Sequence, residues 1–389
     1  MRILMLNNEF PPLGGGTGTV NRAILSRLAA LANLEIDLVT SALGWRYEQA
    51  QLAARVRMFK VPVVNRNIHH SSSRELLTYA ALALPVALRL QRVRPYDLVF
   101  AWSAVPAGGV ALALRRLVGL PYILRVCGPD IPGFEQRYGL LYPLLTPTIK
   151  AIWRGASRLV AKCQDEAEMM LAVQPGMAID LIANGVDLAA FPPAPIAADG
   201  PLRLICVARL IERKGQHHLI HALRRLIDQG LDVTLELVGE GDARAENEAL
   251  VRRLGLEQRV TFAGYVPREQ IGAHYAAAHV FVLPSYNEGM SVATLEAMAA
   301  GLPTVVTRTG GAADLVDEGV SGHIVAWADI EALAERLRAL AESRDLARHM
   351  GTAARARAQR FSWDTATARY LALFDQVVGA RRDTPLRPV

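Results

Sequence analysis

The sequence predicts an α/β protein built as two doubly wound domains. Three observations carry that prediction. Short apolar runs bounded by turn residues alternate with stretches of helical spacing along nearly all of the 389 residues. A Pro-rich segment, Phe191 to Gly200, separates two such series. The stretch from His279 to Thr307 reads as strand, polar turn, helix, strand, with the turn at the carboxyl end of a strand, where open α/β sheets place ligands. The implied division is residues 1–190 with a closing helix, 362–380, in the first domain, residues 200–361 in the second, and a basic tail, 381–389, read as disordered.

In the first half, Arg2 to Leu6 is an apolar run of the kind that forms a central parallel strand. A loop ending in Gly14-Gly15-Gly16 follows, then helical spacing from Val20 to Leu31. Strand, Gly-rich loop and helix suit the approach of a phosphate or substrate at Gly15 and Gly16, and equally an ordinary turn. It is not a dinucleotide fingerprint, because the spacing differs and the next strand, Glu35 to Thr40, does not end in an acidic residue. Arg57 to Val64 reads as a strand, Asn65 to Arg74 as a polar loop with His69 and His70, and Glu75 to Val93 as a helix. Asp97 to Ala101 and Tyr122 to Val126 are strands, the second running into Arg125-Val126-Cys127-Gly128-Pro129-Asp130. Cys127 reads as a small buried apolar residue. Gly133 to Arg154 is aromatic and basic, through Phe134, Arg137, Tyr138, Tyr142, Lys150, Trp153 and Arg154. It fits either a membrane-facing surface or a core helix broken at Pro143 and Pro147. Arg158 to Lys162 and Ile179 to Ala183 are strands on either side of a short helix, Asp165 to Leu171.

The second half carries the chemistry. Leu204 to Val207 is a strand leading into Arg209 and Lys214-Gly215. An Arg fork and a Lys point charge together at a strand end need an anion, and a pyrophosphate suits both. Arg209 alone also fits a surface salt bridge. Leu235 to Val238, before Gly239-Glu240-Gly241, and Val260 to Gly264 are further strands. A helix beginning near Gly289 offers the amides of Gly289, Met290, Ser291 and Val292 as an anion site. Glu288 before it and Glu296 within it would repel phosphate but accept hydrogen bonds from sugar hydroxyls. Taken singly, Glu288 is also a dipole partner and Glu296 a solvated helix face. Together the donors and acceptors suggest a sugar nucleotide. His323 to Trp327 is a last strand, Asp329 to Glu342 a helix, and Ser362 caps a final helix running through Val378.

Composition narrows the partners. Half of the chain is hydrophobic, enough for two cores, and the net charge is +6 without any basic motif interleaved with aromatics, so nucleic acid is not expected. The start of the chain leads straight into a strand and reads as no signal peptide. The longest apolar stretch, Leu76 to Leu88, contains Pro85 and is short for a bilayer span. Cys127, Cys163 and Cys206 are widely spaced, form no disulfide or zinc pattern, and point to the cytoplasm.

The E-x7-E spacing of Glu288 and Glu296, followed by EAMAAGLPTVVT and a Gly pair, resembles the nucleotide-sugar site of glycosyltransferase family 4. Arg209-x4-Lys214-Gly215, the Gly239-Glu240-Gly241 loop, Asn184-Gly185-Val186-Asp187 and the Phe10-Pro11-Pro12-x-Gly14-Gly15-Gly16 loop are similar to that family as well. The resemblance implies the GT-B fold, two Rossmann-like domains facing across a cleft, with the C-terminal helix crossing back to the first, acceptor-side domain. It implies a retaining enzyme moving a sugar from a nucleotide-diphosphate sugar to a hydroxyl acceptor in glycan, polysaccharide or glycolipid biosynthesis. Arg209, Lys214 and Glu288 would then be catalytic, the two cations on the diphosphate and Glu288 on the transferred sugar. Glu296 would hold the ribose, Gly239 and Glu240 would lie near the base, and Gly15, Gly16, Gly128 and Asp130 would face substrate from the first domain. Two positions depart from the family pattern: Met290-Ser291 follows Glu288-Gly289 where Phe-Gly is common, and Cys127 stands where His or Arg is common. No cofactor is expected, and without a D-x-D sequence no metal either. The expected partners are the nucleotide-sugar donor, a sugar, lipid-linked or small-molecule acceptor and a peripheral membrane contact at the inner face, with a monomer or homodimer as the assembly. A sugar-nucleotide epimerase or phosphorylase on the same scaffold and a non-catalytic nucleotide-sugar-binding subunit are the alternatives.

Overall fold

A computed structural model describes residues 1–65, 71–135, 139–193, 196 and 199–383. His69, His70, Arg137, Tyr138, four residues of the Pro-rich segment and tail residues 384–389 lie outside the described residues. The chain divides into two compact units, Met1–Ala183 with Trp363–Val389, and Asn184–Ser362. The division falls ahead of the Pro-rich segment, so the Asn184 turn opens the second unit.

The first unit holds strands β1 (Arg2–Leu6), β2 (Glu35–Ser41), β3 (Glu48–Ala53), β4 (Val56–Val61), β5 (Leu98–Trp102), β6 (Tyr122–Arg125), β7 (Arg158–Ala161) and β8 (Ile179–Leu181). They form one sheet in the order β3-β4-β2-β1-β5-β6-β7-β8. Every neighbouring pair is parallel except β3–β4. Helices α1 (Gly16–Ala29), α2 (Ser73–Val93), α3 (Gly109–Val118), α4 (Tyr142–Gly155) and α5 (Gln164–Val173) connect them. Helices on both faces explain why β1 and β5 read as unbroken apolar runs, for all their residues are buried. The sequence reading missed β3, an edge strand whose residues EQAQLA are polar and mostly exposed and show no apolar alternation. Helix α2 starts ahead of Glu75 because Ser72 and Glu75 form a capping box, the Ser72 amide donating to Glu75 Oε2 at 2.6 Å. Although α2 is long and apolar enough to cross a membrane by length and composition, it packs on β2, β4 and α3 through buried Tyr79, Ala83 and Ala87. Helix α4 is not broken as expected. Pro143 sits in its first turn, where no amide is needed, and Pro147 lies only one turn further on. Among the described aromatics of this stretch, Phe134, Tyr142 and Trp153 are buried and belong to the core, while Leu140, Leu141 and Leu144 are exposed.

The second unit holds β9 (Leu202–Val207), β10 (Val233–Val238), β11 (Val260–Gly264), β12 (Val280–Leu283), β13 (Thr304–Thr307) and β14 (Gly322–Val325). Its helices are α6 (Gln216–Asp228), α7 (Arg244–Arg253), α8 (Ile271–Ala277), α9 (Val292–Ala299), α10 (Ala312–Leu315), α11 (Ile330–Glu342) and α12 (Arg344–Ala358). The sheet is wholly parallel, in the order β11-β10-β9-β12-β13-β14. From β9 the chain first winds one way to β11, then returns to β12 and winds the other way. That reversal leaves a crevice at the carboxyl ends of β9 and β12.

The last helix, α13 (Trp363–Asp383), returns to the first unit. Phe100 of β5 meets Tyr370 and Phe374 at 5.1 and 5.2 Å between ring centroids. The guanidinium of buried Arg125 stacks on Trp102 at 4.5 Å, and its Nε donates to Tyr370 Oη at 3.1 Å. A buried cation in this core is thus held by a ring face and a hydroxyl from the returning helix. The helix continues through Arg381 to Asp383, so the first three residues of the tail expected to be disordered are helical.

Candidate functional site

At the carboxyl edge of the second sheet, hydrogen bonds brace the loop after β9 internally and tie it to the loops after β10 and β12. The Leu210 amide donates to Glu240 O at 2.9 Å, Gln216 Nε2 to Arg209 O at 2.9 Å, and the Tyr286 amide to Arg213 O at 2.7 Å. Two glycines permit this closeness. Gly215 has φ +67° and faces the Pro284 carbonyl, and Gly239 has φ +136° and faces the Ala208 carbonyl. A Cβ at either would collide with backbone, and both conformations disfavour any side chain.

This stitching brings Lys214 to Glu288. The Lys214 ammonium forms an ion pair with the Glu288 carboxylate, both side chains being more than four-fifths buried. Glu288 Oε1 also accepts from Ser285 Oγ at 2.9 Å. Burial alone would raise the Glu288 pKa, but Lys214, the Ser285 hydroxyl and Arg213 outweigh it and hold the carboxyl below its ordinary value. Arg209 is half-buried in the same loop as Lys214.

Helix α9 begins at Val292, not near Gly289 as expected. Ser291 is extended, and its hydroxyl accepts from the Thr294 amide at 3.1 Å, which makes it the N-cap. Gly289 and Met290 therefore precede the helix. Met290 is buried, and its carbonyl accepts from Asn184 Nδ2 at 2.9 Å. The leading helical amides, at Val292 and Ala293, lack intrahelical partners and carry the positive end of the dipole. Glu288, Gly289, Ser291 and Thr294 line one side of a small pocket, with Thr309, Gly311 and Ala312 opposite and Leu283, Val306 and Leu315 also in its wall.

Glu296, on the same helix, is 6% exposed. Its Oε1 accepts from Arg268 Nη1 at 2.8 Å and its Oε2 from Tyr275 Oη at 3.2 Å. Burial raises its pKa, and Arg268 and Tyr275 offset only part of that rise. Sequence reading passed over both partners, since Arg268 is one loop arginine among many and Tyr275 sits at core spacing in a short helix. Glu240 carries its own cation, Arg244, four residues on along α7.

The other candidates lie in the first unit. Gly15 is the N-cap of α1, and a Cβ at Gly15 or Gly16 would meet open space. Gly128 is buried against the Phe134 ring, where a Cβ would collide. The Asp130 carboxylate accepts from the amides of Cys127 at 2.9 Å and Val105 at 3.4 Å, bracing its own turn. Burial pushes the Asp130 carboxyl up to about 6 and the Cys127 thiol up to about 11. Cys127 Sγ accepts from Arg125 Nη1 at 3.7 Å.

Comparison with known proteins accounts for both units. The family described as "Glycosyl transferases group 1" matches residues 191–357, and "Glycosyl transferase 4-like domain" matches residues 15–185. The D-inositol 3-phosphate glycosyltransferase of Kribbella flavida is 31% identical over 421 residues, covering 96% of this chain and 95% of that protein. The GDP-mannose-dependent alpha-(1-6)-phosphatidylinositol monomannoside mannosyltransferase of Mycobacterium tuberculosis is 28% identical over 396 residues, 95% of this chain and 96% of that protein. Sucrose-phosphate synthase of Thermosynechococcus elongatus superposes with a TM-score of 0.87 at 23% identity, over 98% of this chain and 100% of that one. The fold is that of the GT-B glycosyltransferases. The chain belongs to glycosyltransferase family 4 and is a nucleotide-sugar glycosyltransferase.

Proposed function

We propose that the enzyme moves a sugar, with retention of anomeric configuration, from a nucleoside-diphosphate sugar held by the second unit to a hydroxyl acceptor. The observation that supports this most is the Lys214–Glu288 pair at the approach to α9, which sets a cation, a carboxylate and helix amides at one point of the sheet edge. Lys214, Arg209 and the leading amides of α9 take the diphosphate, Glu288 the hydroxyls of the transferred sugar and Glu296 the ribose. The Lys214–Glu288 pair is traded on donor binding for one contact to phosphate and one to sugar. As the bond from the anomeric carbon to the phosphate oxygen breaks, negative charge grows on the diphosphate, and preorganised cations and amides stabilise it most in the transition state. The acceptor oxygen bonds to the anomeric carbon on the same face, and the departing phosphate oxygen takes the acceptor's proton. No protein nucleophile is needed.

These cations supply the neutralisation that a divalent ion would otherwise bring, so turnover is unaffected by EDTA; loss of activity in EDTA rejects this part. GDP-mannose is the first donor to try, and a lipid-linked or glycan acceptor the first acceptor, because the mycobacterial relative is a GDP-mannose-dependent phosphatidylinositol monomannoside mannosyltransferase. Exposed Leu140, Leu141 and Leu144, with Arg154 exposed further along α4, support peripheral contact with the inner face of the cell membrane. Cys127, Cys163 and Cys206, not joined by disulfides, support a cytoplasmic location. The test is a panel of GDP-, UDP- and ADP-sugars with the product anomer read by NMR. One donor giving transfer with retention is expected. Inversion, or donor turnover to an isomerised nucleotide sugar without acceptor, overturns the reading.

A further inference from the structure

We propose that Arg268 is a positioning residue for the donor's ribose: it fixes Glu296 as an ionised acceptor, together with Tyr275, so that the carboxylate's remaining lone pairs meet the ribose hydroxyls. This rests on the reading that Glu296 holds the ribose.

The geometry is specific. Each oxygen of Glu296 has one donor, Arg268 Nη1 at 2.8 Å and Tyr275 Oη at 3.2 Å. The two donors come from different elements, Arg268 from the loop between β11 and α8 and Tyr275 from α8 itself. Tyr275 is fully buried, and its ring is held against Phe191 at 5.7 Å and Phe281 at 6.2 Å, so its hydroxyl is fixed in place. That hydroxyl has a second acceptor in Ala293 O at 3.3 Å and one proton to give. Arg268 is therefore the donor that can hold the carboxylate by charge as well as by geometry.

A carboxylate accepts about four hydrogen bonds. Two are taken, and two remain for a diol. That capacity exists only while Glu296 is ionised; a protonated carboxyl turns one acceptor into a donor. At 6% exposure, burial works against ionisation. The groups that bear on Glu296 are Arg268 and Tyr275, and Cys206 of β9 bears in turn on Tyr275. Burial pushes the Cys206 thiol up to about 12, so it is neutral at ordinary pH. Tyr275 is likewise raised and neutral. Arg268 is the one cation in that set. Its side chain is 40% exposed, so substitution removes the charge without opening a cavity.

The experiment uses the full-length enzyme with its active donor and the 2′-deoxy and 3′-deoxy forms of that donor. Arg268→Gln, Arg268→Lys and Glu296→Gln are compared for kcat and donor KM across about pH 5 to 9, with melting temperature as the check on folding. Arg268→Gln is expected to raise donor KM by about tenfold or more, with kcat changing by less than about threefold. It is also expected to move the acid limb of kcat/KM to higher pH and to shrink the preference for the ribose donor over its deoxy forms. Arg268→Lys restores part of each. If Glu296→Gln loses the ribose preference while Arg268→Gln keeps the parent's KM, acid limb and preference, the role of Arg268 is overturned. If Glu296→Gln itself leaves donor KM and ribose preference intact, the ribose assignment fails and the proposal falls with it.

Discussion

Lys214 and Glu288 are ion-paired across the switch point of the second sheet although 74 positions separate them in the chain. Lys214 rides on the loop after β9 and Glu288 on the loop after β12, and Gly215 seated against the Pro284 carbonyl sets the spacing between the two loops. The pair helps hold the Glu288 carboxyl below its ordinary pKa where burial alone would raise it.

Removing the cation tests its use in the reaction. Lys214→Ala is expected to lower kcat by about 100-fold to 1,000-fold, the range for losing a preorganised group that stabilises transition-state charge. Circular dichroism should stay that of the parent. An unchanged kcat would remove Lys214 from the mechanism.

The same pair predicts a pH signature in stability. Glu288 titrates below its ordinary value of 4.5 in the folded protein, because Lys214, Ser285 and Arg213 outweigh burial. An acid depressed by folding contributes stability above its unfolded value and loses it as pH falls through the folded one. Glu288 therefore adds no pH dependence at neutrality and weakens the fold progressively below 4.5. Urea midpoints taken from about pH 6 to about pH 3 should fall less steeply for Glu288→Gln than for the parent. Parallel curves would count against the pairing.

Gly215→Ala asks for a side chain where φ is +67° and the Pro284 carbonyl already stands. The loop carrying Lys214 must move, so kcat/KM is expected to drop by about tenfold or more, with a strain cost of about 1–3 kcal/mol. Wild-type kinetics in this variant would show that the loop spacing does not matter.

The returning helix can be tested by stability alone. Phe374→Ala empties a fully buried site packed on Phe100 and is expected to cost about 3–5 kcal/mol. Tyr370→Phe takes one hydrogen bond from buried Arg125, at about 1.5–3 kcal/mol. Denaturant unfolding measures both, and near-zero values would mean that α13 contributes little to the first core.

Much of this was legible in the sequence, for identifiable reasons. Strands buried on both faces, such as β1, β5 and β12, are apolar throughout, and a local signal suffices to find them. The polar edge strand β3 carries no such signal, because its place is set by pairing with β4 rather than by burial. The start of α9 was misplaced by three residues because a glycine next to a run of helix formers looks like an entry, whereas the Ser291 hydroxyl supplies the cap. Lys214, Glu288 and Glu296 stood out by spacing and charge. Their mutual arrangement did not, since Arg268 and Tyr275 reach Glu296 from 28 and 21 positions away. Asp130 is the converse case. A motif made it prominent, and the fold engages its carboxylate with two amides of the first unit.

The central claim is that one corner of the second unit grips a diphosphate with Lys214, Arg209 and the leading amides of α9. A crystal structure with bound GDP or UDP tests it most directly. The account predicts phosphate oxygens within about 3 Å of Lys214 Nζ, the Arg209 guanidinium and the Val292 or Ala293 amide. It also predicts Lys214 parted from Glu288 and the ribose on Glu296. A nucleotide bound elsewhere, with the Lys214–Glu288 pair intact, would contradict it.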